Sequence, residues 1–204
     1  MGQGVLIALE GVDGAGKTTQ ALSLAATLAR FGRRVLFTRE PTAGPAGSRL
    51  RDYLAGKRRH LSAVEELALF QADRREHVEK TIRPALQLGW VIITDRYYYS
   101  SAAYQGALGL DPAAIIAASE AFAPRPDLAV IFTLPLPLAL ARRLESRRGE
   151  TQVSEVPAYL EKVAALYDTF QGPHLKRLDA SDPPAQVLGR LLVLAMDTLK
   201  EPVV

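Results

Sequence analysis

The stretch EGVDGAGKTTQ at residues 10–20 restricts what this chain can fold into more than any other. Gly11 and Gly16 bracket Val12, Asp13, Gly14 and Ala15 and are followed by Lys17, Thr18 and Thr19, the G-x-x-x-x-G-K-[ST] spacing of a phosphate-binding loop. Residues 5–9, VLIAL, are uninterruptedly apolar, as in a strand buried on both faces. After the loop, Ala21, Leu24, Ala25, Leu28 and Phe31 recur at helical spacing. Strand, glycine loop and helix therefore stand in the order that phosphate binding requires. Glycines let the backbone wrap closely round phosphate oxygens, and the helix start aims N–H groups and partial positive charge at them. Lys17 reaches the outer phosphates of a nucleoside triphosphate, and the Thr18 hydroxyl is placed to ligate Mg2+.

Composition narrows the class. With 48% hydrophobic and 23% charged residues over 204 positions, the chain is long enough and apolar enough for one sizeable core. A net charge of +3 without any basic block gives no nucleic-acid signature, despite a pI near 9.3. The absence of cysteine excludes disulfides and thiolate metal sites and fits a reducing compartment. No apolar run approaches the roughly 20 residues that span a bilayer. The N-terminus carries no signal-peptide pattern, so a cytoplasmic protein without membrane or nucleic-acid partners is expected.

Further strands are predicted at 34–38, 90–94, 128–132 and 174–178, each followed by helical pattern. Gly32 is expected to end the first helix, and a short helix to cover 47–55. Ser62 and Glu65 form a capping box for a long helix that Pro84 should kink or divide. Helices follow at 97–106, at 111–122 with Asp111 as N-cap and Pro112 first, at 138–147, at 157–170 and at 183–198. This alternation predicts an α/β fold with a parallel sheet and helices on both faces, a single domain over 1–204 with a small lid at about 143–155. The three histidines, His60, His77 and His174, have no metal-ligand spacing and read as structural or surface residues.

Ligands in such sheets sit beyond the C-terminal strand ends. Those ends carry Asp13, then Arg39 and Glu40, then Asp95 and Arg96. Asp95 is either an Mg2+-orienting carboxylate or a solvated cap of the next helix. The segment DRYYYSSAAYQG at 95–106 resembles the D-R-[YH]-x-x-S-x-x-A-Y-Q signature of thymidylate kinases, and three other parts agree in order and spacing. These are the loop EGVDGAGKTTQ, the triplet Arg39-Glu40-Pro41, and LFQADRREH at 69–77.

The resemblance implies a five-stranded parallel sheet of the nucleoside monophosphate kinase type, a P-loop fold. It implies transfer of the γ-phosphoryl of ATP to dTMP, giving dTDP, with Mg2+, in a homodimer. Residue by residue, it implies that Asp13 meets the deoxyribose 3′-hydroxyl and that Arg39 and Arg96 clamp the dTMP phosphate. It implies that Phe70 stacks on thymine, where helical spacing alone equally suits a core residue, and that Arg74 donates to a thymine carbonyl. Ser101 and Gln105 are then base contacts, and Tyr104 crowds the sugar 2′ position. Thr18 and Asp95 are the expected metal ligands. At most two of Tyr97, Tyr98 and Tyr99 are expected to face the pocket.

Many relatives carry an arginine inside the loop, where this chain has Gly14 or Ala15. The resemblance then points to the subgroup that supplies lid arginines, with Arg142, Arg143, Arg147 and Arg148 available. Arg143 and Arg147 share one helical face and are the expected catalytic pair beside Lys17, Asp13 and Arg96. Thr151 to Ser154 stand where an Asp-Arg pair is common, which leaves open the arginine that reaches the transferring group.

Overall fold

The computed structural model describes residues 4–56, 61–146 and 157–199. Five apolar segments form the strands β1 (Val5–Gly11), β2 (Val35–Arg39), β3 (Val91–Asp95), β4 (Leu128–Thr133) and β5 (Leu175–Asp179). They make one parallel sheet in the order β2-β3-β1-β4-β5. β1 is central because its residues are buried on both faces, and the chain crosses over it between β3 and β4. That reversal opens a crevice beyond the C-terminal ends of the central strands, where Leu9 is in register with Asp95 and Gly11 with Phe132.

Helix α1 (Lys17–Arg30) packs on one face of the sheet with α9 (Pro184–Leu199). It buries Ala21, Leu24 and Leu28, while Phe31, just past its end, is exposed rather than part of the apolar stripe. Gly32 closes it as predicted. With φ 80, Gly32 donates to the Ala29 carbonyl at 3.0 Å and Arg33 donates to Leu28 at 3.1 Å.

The other face is built round α5 (Tyr98–Ala107), which touches β1 and is flanked by α3 (Ala63–His77), α6 (Pro112–Glu120) and α8 (Pro157–Thr169). Helix α2 (Pro45–Leu54) leans on α3, and α7 (Leu136–Ser146) follows β4. The capping box at α3 is present, with Ser62 N–H donating to Glu65 at 2.8 Å and Glu65 N–H returning to Ser62 Oγ at 3.3 Å. Asp111 caps α6 by accepting from Ala113 N–H at 2.9 Å, with Pro112 first in the helix.

Pro84 does not divide the long helix. The chain widens into a π-helical turn at Val78–Ile82 and continues into α4 (Arg83–Gln87). A proline lacks the N–H and crowds the carbonyl four residues back, and the wider turn absorbs both. The remaining element ends lie within a few residues of expectation. All three of Tyr97, Tyr98 and Tyr99 are buried, so the whole run serves packing first.

Candidate functional site

The phosphate-binding loop has its expected backbone. Gly11, Gly14 and Gly16 all have positive φ, the last immediately before α1. A Cβ at Gly14 would overlap the Ala139 carbonyl oxygen, so α7 lies directly against the loop. Lys17 is buried and donates from Nζ to the Val12 carbonyl at 2.8 Å, folded over the loop. Thr18 Oγ1 donates to Asp95 Oδ2, while Asp95 is buried and its Oδ1 has no hydrogen-bond partner among the described residues. Asp95 is therefore not a solvated strand end. A hydroxyl and a carboxylate with an idle oxygen are hard ligands that fit Mg2+, which completes its shell with waters and substrate phosphates. Thr19 is exposed, and Val12 and Ala15 are buried under the loop.

Asp13 and Arg96 meet across the crevice, with Nη2 to Oδ1 at 2.6 Å. Arg96 also donates from Nη1 to Ser100 Oγ at 2.8 Å, and its guanidinium lies 5.1 Å from the centre of the Tyr104 ring. Its backbone is unusual for a side-chain-bearing residue, at φ 74. The Thr94 hydroxyl holds the Arg96 carbonyl at 2.8 Å, and Arg96 N–H donates to Leu9 at 3.0 Å. Such locally costly backbone persists where neighbours fix it.

Burial works to raise the Asp13 carboxyl, but the charges of Arg96, Lys17 and Arg143 outweigh it and hold the group well below the usual carboxylate range. Burial first, and then the Arg96 charge, pull the Lys17 ammonium down to about 8, against the opposing pull of Asp13, Asp95 and Glu10. Arg143 is buried on α7, one turn beyond Ala139, and so lies on the side of that helix facing the loop. Arg142 turns elsewhere and donates to the Ala180 and Ser181 carbonyls at 2.7 and 3.0 Å. Arg147, Arg148 and the rest of the expected lid to residue 155 lie outside the described residues.

A second pocket wall rises from α3 and α5. Arg74 is buried, donates twice to Glu40 and reaches Ser101 Oγ from Nη2 at 3.1 Å, with its guanidinium carbon 5.6 Å from the Tyr97 ring centre. His77 braces the same carboxylate from Nδ1 at 3.1 Å, and its Nε2 lies 2.7 Å from Thr38 Oγ1. Ser101 and Gln105 are four residues apart on α5 and share a face. Arg74 Nη1 and Gln105 Oε1 are both buried without hydrogen-bond partners among the described residues. Phe70 is half-buried and stands outside the packed core, one turn from Arg74.

Two placements differ from the rest. Arg39 is exposed at the end of the edge strand β2 and in register with Asp95, so alternation puts it on the α1 face. Glu40 follows and turns to the Arg74 side, and among the described residues no hydrogen bond or ion pair links Arg39 to Arg96. Three carboxylates carry roles that sequence reasoning missed. Glu10 accepts from Tyr97 N–H at 2.9 Å and Ser100 Oγ at 2.5 Å, tying the loop strand to α5. Glu40 and Glu66 hold Arg74 and Gln105. Glu10 was detectable as a lone charge inside an apolar strand.

The loop, through Asp13 and Arg96, and the polar wall of Arg74, Ser101 and Gln105 therefore both meet helix α5. A family model described as Thymidylate kinase matches residues 9–190. A thymidylate kinase of Xanthomonas campestris pv. campestris (strain B100) is 48% identical over 185 residues, covering 91% of this chain and 80% of its own length. One from Desulfotalea psychrophila is 41% identical, covering 97% of this chain and 96% of its own. One from Brachyspira hyodysenteriae is 40% identical, covering 98% and 95%. With the matched span running from β1 into α9, this chain belongs to the thymidylate kinase family.

Proposed function

We propose that the chain transfers the γ-phosphoryl of ATP to dTMP, giving ADP and dTDP. The observation that carries the acceptor is the pair of idle buried atoms, Arg74 Nη1 and Gln105 Oε1. Unpaired buried polar groups are costly and point to a missing partner. A donor and an acceptor on one wall match the O4 acceptor and N3–H donor of thymine. Phe70, outside the core, supplies the stacking face.

Lys17 and the loop N–H groups bind the donor phosphates. Thr18 and Asp95 would hold Mg2+, which would offset charge on the transferring phosphates. Arg96 binds the dTMP phosphate, oriented by Asp13 and Ser100, and the second Asp13 oxygen accepts the sugar 3′-hydroxyl. Tyr104, stacked on Arg96, walls off the 2′ position. The attacking phosphate oxygen is already ionised, so no general base is needed. Alignment and charge stabilisation do the work.

Arg143 supplies the positive charge absent from the loop, which supports the lid-arginine subgroup. A single domain with a lid, a homodimer and a cytoplasmic location free of nucleic acid and membrane complete the reading. Among the described residues no helix is long and apolar enough to cross a membrane. The test is a panel of nucleoside monophosphates with ATP and Mg2+, followed by chromatography of ADP and diphosphate product. dTMP is the expected preferred acceptor, and a clear preference for another nucleotide overturns the assignment. Sedimentation of the purified enzyme tests the dimer.

A further inference from the structure

Gln105 is buried, and the two arms of its amide are treated differently. Nε2 donates to Glu66 Oε1 at 2.8 Å, whereas Oε1 has no hydrogen-bond partner among the described residues. The two arms of an amide are nearly the same size, so shape does not decide which one faces Glu66. Chemistry does, because an ionised carboxylate only accepts and can face only the NH2 arm. The other Glu66 oxygen, Oε2, accepts from the Tyr53 hydroxyl at 2.6 Å. That bond fixes the carboxylate between α2 and α5.

We propose that Glu66 is a positioning residue that sets base selectivity, by locking the Gln105 amide with its carbonyl oxygen toward the acceptor base. The inference rests on the reading that Arg74 and Gln105 face that base. With only Oε1 offered, the site suits pyrimidines bearing N3–H, namely thymine and uracil. Cytosine presents a lone pair at N3 and an amino group at position 4. Gln105 Oε1 would then oppose an acceptor and Arg74 Nη1 a donor, each stranded without a partner. Glu40 fixes the donor half of this pattern through Arg74, and Glu66 fixes the acceptor half through Gln105. Selectivity against cytosine thus has two supports, one just after β2 and one on α3.

The test compares Glu66→Gln, Tyr53→Phe and the double variant, using the ratio of kcat/KM for dTMP over dCMP. The Tyr53 hydroxyl both donates and accepts, so in Glu66→Gln the neutral amide can present either arm to Gln105, and the Gln105 amide loses its fixed orientation. The ratio is expected to fall about threefold or more, with the Arg74 half of the pattern intact. Tyr53→Phe keeps the Glu66 carboxylate and should keep the ratio. The double variant should give the ratio of Glu66→Gln alone. If Glu66→Gln does not fold, Glu66→Ala is the second variant, expected to lower the ratio for the same reason. A Glu66 that only braces the helices would slow both substrates together and leave the ratio unchanged, which overturns the proposal. Gln105→Ala separates the two levels. If it leaves the ratio unchanged, the site reading fails too; if it lowers the ratio and the Glu66 variants do not, only the role of Glu66 falls.

Discussion

Arg74 holds Glu40 with two donors, Nε at 2.9 Å and Nη2 at 2.7 Å, in a pair almost wholly shielded from water. Removing one partner of such a pair strands a buried charge and costs about 3–5 kcal/mol. Glu40→Ala is expected to lose that much in urea unfolding and to weaken dTMP binding as Arg74 loses its support. Burial tends to raise the Glu40 carboxyl, but Arg74 and His77 outweigh it and hold it below its ordinary value. A depressed carboxyl contributes stability above its unfolded pKa, about 4.3, and loses it as pH falls through the folded value. The acid limb of the stability curve should therefore be shallower in Glu40→Gln.

Phe70 gives a contrast between binding and folding. Because it stands outside the packed core, Phe70→Ala should leave unfolding nearly unchanged while weakening dTMP binding by about 1–3 kcal/mol, the range for base stacking on aromatic side chains. Calorimetric titration with dTMP checks this, and unchanged affinity would remove Phe70 from the site.

Burial and the Arg96 charge pull the Lys17 ammonium down to about 8. Anionic phosphates bound beside it restore that charge. ATP binding at pH 8 should take up about half a proton, less at pH 7, and affinity should fall as pH rises through 8. Calorimetry in buffers of different ionisation enthalpy measures the uptake. Lys17→Met should abolish it, keep the fold by circular dichroism, and lower kcat by about 100-fold or more.

The adjacent arginines of α7 should behave oppositely. Arg143→Ala is expected to lower kcat and kcat/KM together, leaving KM for dTMP little changed, as for a group acting in the transition state. Arg142 instead serves the Ala180 and Ser181 carbonyls. Its alanine variant should cost about 1 kcal/mol of stability and retain turnover. Steady-state kinetics paired with thermal unfolding distinguishes the two.

What the sequence made legible was local. The loop glycines, the capping box at Ser62, the Gly32 stop and the strand ending at Asp95 all depend on residues a few positions apart. What it hid depends on meetings across the fold. Glu10 reaches Ser100 over 90 positions, Gln105 reaches Glu66 over 39 and Arg74 reaches Glu40 over 34. Glu10 stands out as a lone charge in an apolar strand and Glu40 as a strand-end charge, but nothing near Glu66 distinguishes it from surface charge, and no local pattern names the partner of any of the three. Phe70 was ambiguous for a related reason: α3 lies between α2 and α5, so its apolar residues do not mark a single inner face. Pro84 marks the interruption of the α-helix that was expected, but the form it takes, a wider turn that lets the helix go on, is not anticipated by propensity.

The seating of Ala139 on Gly14 has a consequence for how such enzymes diverge. A chain cannot acquire the loop arginine at residue 14 by one substitution, since the new side chain would drive α7 outward and take Arg143 with it. On this backbone a side chain at residue 14 and the present seat of Arg143 exclude each other, so a loop arginine there requires a re-seated α7.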